Sequence, residues 1–120
     1  MEISIGMDGD VVVVELTGDF VAAAAEQFKA QMAKLMEKNF LFVALHLDRV
    51  NFMDSSGLGA CMAAHKAFAE KKGALVCVKP SEAVAKIFRV TRADQKLRVA
   101  PTRLDAVQAL QAIAAAGRTA

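Results

Sequence analysis

The sequence predicts a single α/β domain with a mostly parallel sheet and an antiparallel first strand. After residue 20, apolar runs typical of buried strands alternate with segments whose apolar residues recur at the three- and four-residue spacing of helices. Before residue 20, two strand-like segments flank a turn signal, which indicates a hairpin. The length of 120 residues suits one domain and is short for two of ordinary size.

The predicted hairpin opens the chain. Residues 2–6 are a weak strand candidate, and Asp8-Gly9-Asp10 follows as a turn signal. The β-branched segment 11–16 predicts the second strand. The Thr-Gly-Asp sequence at 17–19 is then expected to close the hairpin.

The central elements alternate between helix and strand. Helical periodicity predicts a first helix over about 21–38. The nearly continuous apolar run at 40–47 predicts a strand buried on both faces, as a parallel sheet covered by helices requires. We expect a loop at 48–55, a second helix over about 56–72 and another buried strand at 74–78.

The last part of the chain adds two helices and one strand. Pro80-Ser81 is predicted to begin the third helix, and residues 96–99 predict a short strand at the sheet edge. Thr102 is a capping residue for the last helix. The predicted order is therefore β-β-α-β-α-β-α-β-α, with one domain over residues 1–116 and a flexible tail at 117–120.

Composition and charge exclude several classes of function. The net charge is only +2, and without Trp or Tyr a base-stacking surface would depend on Phe at core-like positions, so we expect no direct nucleic-acid binding. The absence of a signal-like start and of roughly 18 consecutive apolar residues predicts a cytoplasmic protein without membrane insertion. Cys61 and Cys77 are predicted to be buried thiols, and with His46 and His65 they lack the paired spacing of zinc ligands. We expect neither metal nor cofactor.

Polar residues cluster after the apolar run at 40–47, where open α/β sheets place functional residues. One explanation is structural, with one of Asp54, Ser55 or Ser56 capping the next helix and the glycines relieving a tight turn. However, three capping-type residues in a row exceed what one cap needs, which favours a functional site. The cluster consists of Asp48, Asn51, Asp54, Ser55, Ser56, Gly57 and Gly59.

Three functional interpretations of this cluster compete. A dinucleotide-binding loop is disfavoured because Met62 stands where the third glycine is required after Gly57 and Gly59. A serine hydrolase elbow would need glycine in place of Met53 or Asp54. A phosphorylated serine fits better, because the N-terminus of a helix tolerates a dianion.

The segment Asn51-Phe52-Met53-Asp54-Ser55-Ser56-Gly57-Leu58-Gly59 closely resembles the phosphorylation loop of the STAS domain, as found in bacterial anti-sigma factor antagonists. The pattern in that family is an apolar pair followed by D-S-[ST]-G-[LI]-G, and this segment matches it in full. Leu16-Thr17-Gly18-Asp19 resembles the family's earlier L-x-G-[DE] segment. The element order and length also fit, so the resemblance covers nearly the whole chain and implies a STAS-like fold.

This resemblance implies a partner switch. In such proteins the unphosphorylated form binds an anti-sigma factor that is itself a serine kinase. Phosphorylation of one loop serine by that kinase abolishes binding, and a PP2C-type phosphatase restores it. The second hydroxyl residue of the pair takes the phosphate, which implies Ser56 here, with Asp54, Ser55 and Gly57 in supporting positions. The chain would then be a kinase substrate and not an enzyme. The alternative is a STAS scaffold or regulatory module of another pathway, such as a transport or signalling complex.

One position departs from the family pattern. Family members usually read G-[DE]-[LI]-D, and the last Asp belongs to the partner-binding surface. In this chain Asp19 is retained, but Val21 replaces that last acid. Two explanations remain open: Phe20 and Val21 form an apolar contact with a partner, or they staple the first helix to the sheet. The resemblance implies that Asp19 and Val21 belong to the partner-binding surface.

Overall fold

The computed structural model describes residues 1–118, with side chains described through residue 117. One five-stranded sheet has the strand order β1-β2-β3-β4-β5, in which β1 and β2 are antiparallel and the other pairs are parallel. This is the predicted α/β architecture and element order. The elements are β1 (Glu2–Asp8), β2 (Val11–Phe20), α1 (Ala22–Glu37), β3 (Phe42–Met53), α2 (Ser55–Glu70), β4 (Ala74–Val78), α3 (Glu82–Thr91), β5 (Arg98–Ala100) and α4 (Arg103–Arg118), with a 3₁₀ turn at Ala93–Gln95.

Helices cover both faces of the sheet unequally. Because side chains alternate along a strand, Val12 and Val14 of β2 face one layer and Val11 faces the other. Helices α1, α2 and α3 pack on the first face around fully buried phenylalanines, whereas α4 alone packs on the second. All five residues of β4 are buried, which confirms the prediction of a buried strand at 74–78.

The segment expected to close the hairpin and most of the loop predicted at 48–55 are strand residues. Residues 17–19 belong to β2, and residues 48–53 belong to β3. β4 pairs with β3 only as far as His46, so beyond that point β3 pairs with β2 alone. There the outward-facing side chains meet solvent, and polar residues are compatible with a strand. Register shifts between Glu15 and Thr17, and between Gly18 and Asp19, further break the regular alternation.

Local capping predictions in the second half of the chain are confirmed. The backbone N–H of Asp105 donates to Thr102 Oγ1 at 3.1 Å, at the start of α4. At the start of α3, the N–H of Val84 donates to Ser81 Oγ at 3.3 Å. The α4 helix extends to Arg118 and so includes residues 117 and 118 of the predicted tail, and residues 119–120 lie outside the described part of the chain. The bounds of the domain stay a prediction.

A polar cluster attaches the first turn of α4 to the sheet. Arg103 Nε donates to His46 Nε2 at 3.0 Å, and an Arg103 terminal nitrogen lies 2.8 Å from Glu15 Oε1. His46 Nδ1 lies 3.6 Å from Asp48 Oδ1. Because Arg103 can only donate, His46 Nε2 must be unprotonated to accept from it. Burial and the nearby Arg103 guanidinium lower the pKa of His46 below its usual 6.5, against the raising effect of Asp48 and Glu15.

This lowered pKa predicts that acid destabilises the domain. The unfolded chain binds a proton at His46 more readily than the folded one, so stability is fully present above pH 6.5 and falls as pH drops toward the folded pKa. We expect a loss on the order of 1 kcal/mol, comparable to one hydrogen bond. Urea titrations at several pH values from 7.5 to 5 measure it. His46→Gln should flatten the pH dependence, and an unchanged slope in that variant would contradict the prediction.

Candidate functional site

The candidate site lies where β3 ends and α2 begins. β3 ends at the buried Met53, and Asp54 is the N-cap residue of α2 in an extended conformation. Its Oδ1 accepts from the backbone N–H of Ser56 at 2.9 Å and of Gly57 at 3.1 Å. Of the three capping candidates left open by the sequence, Asp54 is therefore the cap. Its side chain fixes the backbone to which both serines belong.

The two serine hydroxyls are available for chemistry. Ser55 is exposed and Ser56 is half-buried. Within the described residues neither hydroxyl makes a side-chain hydrogen bond, since Asp54 supplies the cap. Both serines line an open cleft of about 360 Å³ between α1 and α2. Its other lining residues are Ala22, Ala25, Glu26, Lys29, Gly59 and Ala60.

Gly57 has a different role from the one predicted. The positive-φ glycines of the described chain are Gly9 and Gly18, so Gly57 does not relieve a strained turn. A Cβ atom at position 57 would instead lie 2.2 Å from the Phe20 carbonyl oxygen and 3.0 Å from Phe20 Cγ. The absence of a side chain lets the first turn of α2 approach the end of β2. Gly59 differs, because a Cβ there would meet nothing within 4 Å.

The end of β2 and the start of α1 lie next to this helix start. The backbone N–H of Asp54 donates to the Phe20 carbonyl oxygen at 3.4 Å, which joins the two segments. Asp19 is exposed, and Val21 is half-buried as the N-cap of α1. Phe20 is fully buried, so the explanation in which Phe20 and Val21 together form an apolar contact with a partner is wrong. Phe20 instead anchors this edge of the sheet to the core.

The fold and the residues of this loop agree with the family that the sequence matches. The model of the STAS domain matches residues 2–106. This chain belongs to the STAS domain family. Over 84 residues this chain is 28% identical to an anti-sigma-B factor antagonist of Listeria monocytogenes. The alignment covers 70% of this chain and 74% of that protein.

Solved structures share the STAS fold. The protein TM1081 of Thermotoga maritima superimposes with a TM-score of 0.84 at 22% identity, covering 91% of this chain and 94% of that one. The phosphorylated form of the Bacillus cell fate determinant SpoIIAA gives a TM-score of 0.69 at 23% identity, covering 89% and 97% of the two chains. SpoIIAA is also known in its unphosphorylated form as an anti-sigma factor antagonist. At this level of identity the likeness shows the fold alone.

Hydrolytic and thiol chemistry have no support in the described part of the STAS domain. His46 faces α4 across the sheet from the serines, and His65 lies nine residues after Ser56, about 13 Å along α2. Burial raises the pKa of Cys77 to about 12, and burial with the nearby Cys77 raises that of Cys61 well above its usual range. Both cysteines are the buried, inert thiols that the sequence predicted.

The described residues also define two limits on this STAS domain. Among residues 1–118, no group of three or more His, Cys, Asp or Glu side chains is arranged to hold a metal ion. In the same part of the chain, no helix combines the length and the apolar character needed to cross a membrane.

Three residues of the site were missed by the sequence reasoning. Phe52, opposite Asp19 in the sheet register, keeps 52% of its surface exposed at the end of β3. Glu26 and Lys29 of α1 line the serine cleft. Phe52 and Met53 are adjacent apolar residues of the loop motif, and side chains alternate between the faces of a strand. An apolar pair at a strand end therefore indicates that one of the two side chains is exposed near the site. No local signal links Glu26 or Lys29 to residues about 30 positions later.

Proposed function

We propose that this STAS domain is an anti-sigma factor antagonist that binds an anti-sigma factor serine kinase when Ser56 is unmodified and is released when Ser56 is phosphorylated. The observation that carries the proposal is the Ser56 hydroxyl, which makes no side-chain hydrogen bond among the described residues and lines an open cleft beside the Asp54 cap. The kinase would transfer the γ-phosphoryl group of ATP to Ser56 Oγ, releasing ADP and the hydroxyl proton. A PP2C-type phosphatase would hydrolyse the phosphoester and restore the binding form.

The physical effect of this modification is a change of surface charge with little change of fold. A phosphoserine adds a charge of about −1.5 to −2 at neutral pH. The backbone N–H groups and the dipole at the start of α2 tolerate that charge, so the helix can stay intact. Asp19 is exposed at the same edge, and Asp54 lies two residues from Ser56. An acidic partner surface close to this edge would therefore be repelled after phosphorylation.

The choice between the two serines rests on the motif. Exposure favours Ser55, which is exposed whereas Ser56 is half-buried. The STAS loop pattern favours Ser56, because the phosphate goes to the second hydroxyl residue of the pair. The experiment must therefore change each serine separately.

A kinase assay with matched serine variants tests the proposal. The STAS domain is incubated with ATP and an anti-sigma factor serine kinase from the same organism, and the loop peptide is analysed by mass spectrometry. We expect phosphate on Ser56, parental affinity for the kinase in Ser56→Ala, and at least tenfold weaker binding in Ser56→Asp, with Ser55→Asp as the matched control. A phosphate on Ser55 instead, or parental binding by Ser56→Asp, would rule the proposal out.

The same experiment separates the antagonist from a scaffold of another pathway. A scaffold would bind its partner whatever the charge at position 56, whereas an antagonist loses its partner when that charge is added. The domain acts in this proposal as the phosphoryl acceptor and as a binding protein, and none of its own side chains performs catalysis.

A further inference from the structure

Two charged residues of α1 line the cleft to which the serines belong. Glu26 and Lys29 line it together with Ser55 and Ser56 of α2. Lys29 Nζ lies 3.5 Å from Glu26 Oε1, one turn earlier on the same helix. The cleft of about 360 Å³ is open to solvent and is lined by Ser56 itself, so it offers room for a phosphoryl group between the two helices.

The existing partner of Lys29 is a weak one. The side chains of Lys29 and Glu26 are 52% and 78% exposed, so water and salt screen their attraction. The lysine ammonium sits on a flexible four-carbon stem and is able to turn toward another anion in reach. A phosphate dianion carries up to twice the charge of the Glu26 carboxylate and is the stronger competitor.

We propose that Lys29 is the intramolecular partner of phosphorylated Ser56: its ammonium leaves Glu26 and pairs with the phosphoryl oxygens across the cleft. This inference rests on the proposed function, since it takes Ser56 as the modified residue. Glu26 acts in the opposite sense, because it lines the same cleft and its carboxylate, which lies 3.5 Å from the Lys29 ammonium, repels the dianion. The balance of these two side chains sets how firmly the phosphate is held against α1.

The pairing has a consequence for the partner-binding edge. The α1 helix begins at Ala22, directly after Val21 and three residues after Asp19. The α2 helix begins directly after Asp54. A phosphate held by Lys29 bridges the first turn of α2 to a point on α1 about two turns after its start. It also holds the phosphoryl group inside the cleft, where an approaching phosphatase must displace the lysine. Lys29 is thus a positioning residue that makes the phosphorylated state more persistent.

Phosphorus-31 NMR of the phosphorylated domain tests the inference directly. Phosphoserine is incorporated at position 56 during synthesis, so no kinase is needed, and the second ionisation of the phosphate is followed by pH titration. We expect Lys29→Ala to raise the midpoint by about half a pH unit, as the loss of one nearby exposed positive charge predicts. Lys29→Arg should restore the parental midpoint, and Glu26→Gln should lower it.

Lys34→Ala is the matched control, because Lys34 is an exposed lysine of α1 that does not line the cleft. A midpoint in Lys29→Ala equal to that of Lys34→Ala would overturn the inference. Circular dichroism confirms that each variant is folded. The readout is independent of the kinase assay: phosphorylation of Ser56 with no effect of Lys29 would overturn the pairing alone, whereas a kinase that ignores Ser56 would overturn the proposed function alone.

Discussion

Gly57→Ala should lower the free energy of unfolding by about 2–3 kcal/mol, although alanine is the better helix former. The added Cβ would lie 2.2 Å from the carbonyl oxygen of Phe20 and 3.1 Å from Met53 Cγ. The nearer obstacle is backbone at the end of β2, and it cannot rotate away as a flexible side chain would. The first turn of α2 must shift, which also weakens the Asp54 cap. Guanidinium denaturation of the parent and variant measures the loss.

Gly59→Ala supplies the matched control two residues later in the same helix. A Cβ at position 59 meets nothing within 4 Å, so this variant keeps only the gain in helix propensity of about 0.5–1 kcal/mol. The two glycine variants should therefore change stability in opposite directions. Equal effects at the two positions would contradict the close approach of α2 to β2.

Phe20→Ala should be the most destabilising side-chain truncation near the site, at about 3–5 kcal/mol. The ring is fully buried, and its centroid lies 5.3 Å from that of Phe28 in an edge-to-face arrangement at 68°. Its removal leaves a cavity between the end of β2 and α1, and it removes an aromatic pair. Thermal and denaturant unfolding measure the effect. We also expect weaker partner binding, because Phe20 supports the edge that carries Asp19 and the Asp54 cap.

Phe52→Ala is the control for that truncation, since Phe52 is the same residue type with half of its surface exposed. Its removal should change the free energy of unfolding by roughly 0.5 kcal/mol or less. A large loss of stability in Phe52→Ala, or a small one in Phe20→Ala, would contradict the packing at this edge. If Phe52 contacts the partner, the Phe52→Ala variant will lose binding while its stability stays close to that of the parent.

The elements that sequence reasoning located correctly are those with a local physical signature. β4 is a continuous apolar run because both of its faces are covered, and Thr102 is read as a cap because it bonds a backbone group only three residues away. The prediction failed where pairing partners changed along a strand. At residues 48–53 β3 continues beyond the end of β4, and its polar side chains there resemble a loop.

Some features of the candidate site were likewise predictable from the sequence, and others were not. The run of Asp54, Ser55, Ser56 and Gly57 marks a helix start with modifiable hydroxyls, and its motif resembles the phosphorylation loop of the STAS family. The sequence could not assign the cap among three adjacent candidates, because each is a residue type able to accept from the backbone N–H groups two and three positions later. It also assigned Gly57 to a turn, since the Phe20 oxygen that excludes a side chain lies 37 positions earlier.

The amino-acid sequence alone predicts the alternation of strands and helices, the antiparallel start, the buried thiols and the position of the two serines. Each of these follows from the order of apolar and polar residues within a short segment. The folded structure adds that Asp54 is the cap, that Phe20 is buried while Phe52 is exposed, and that Glu26 and Lys29 line the same cleft as the serines. The cap depends on where α2 starts. The burial of Phe20 and the lining of the cleft depend on contacts between segments distant in the chain, which the packing of α1 and α2 on one sheet brings together.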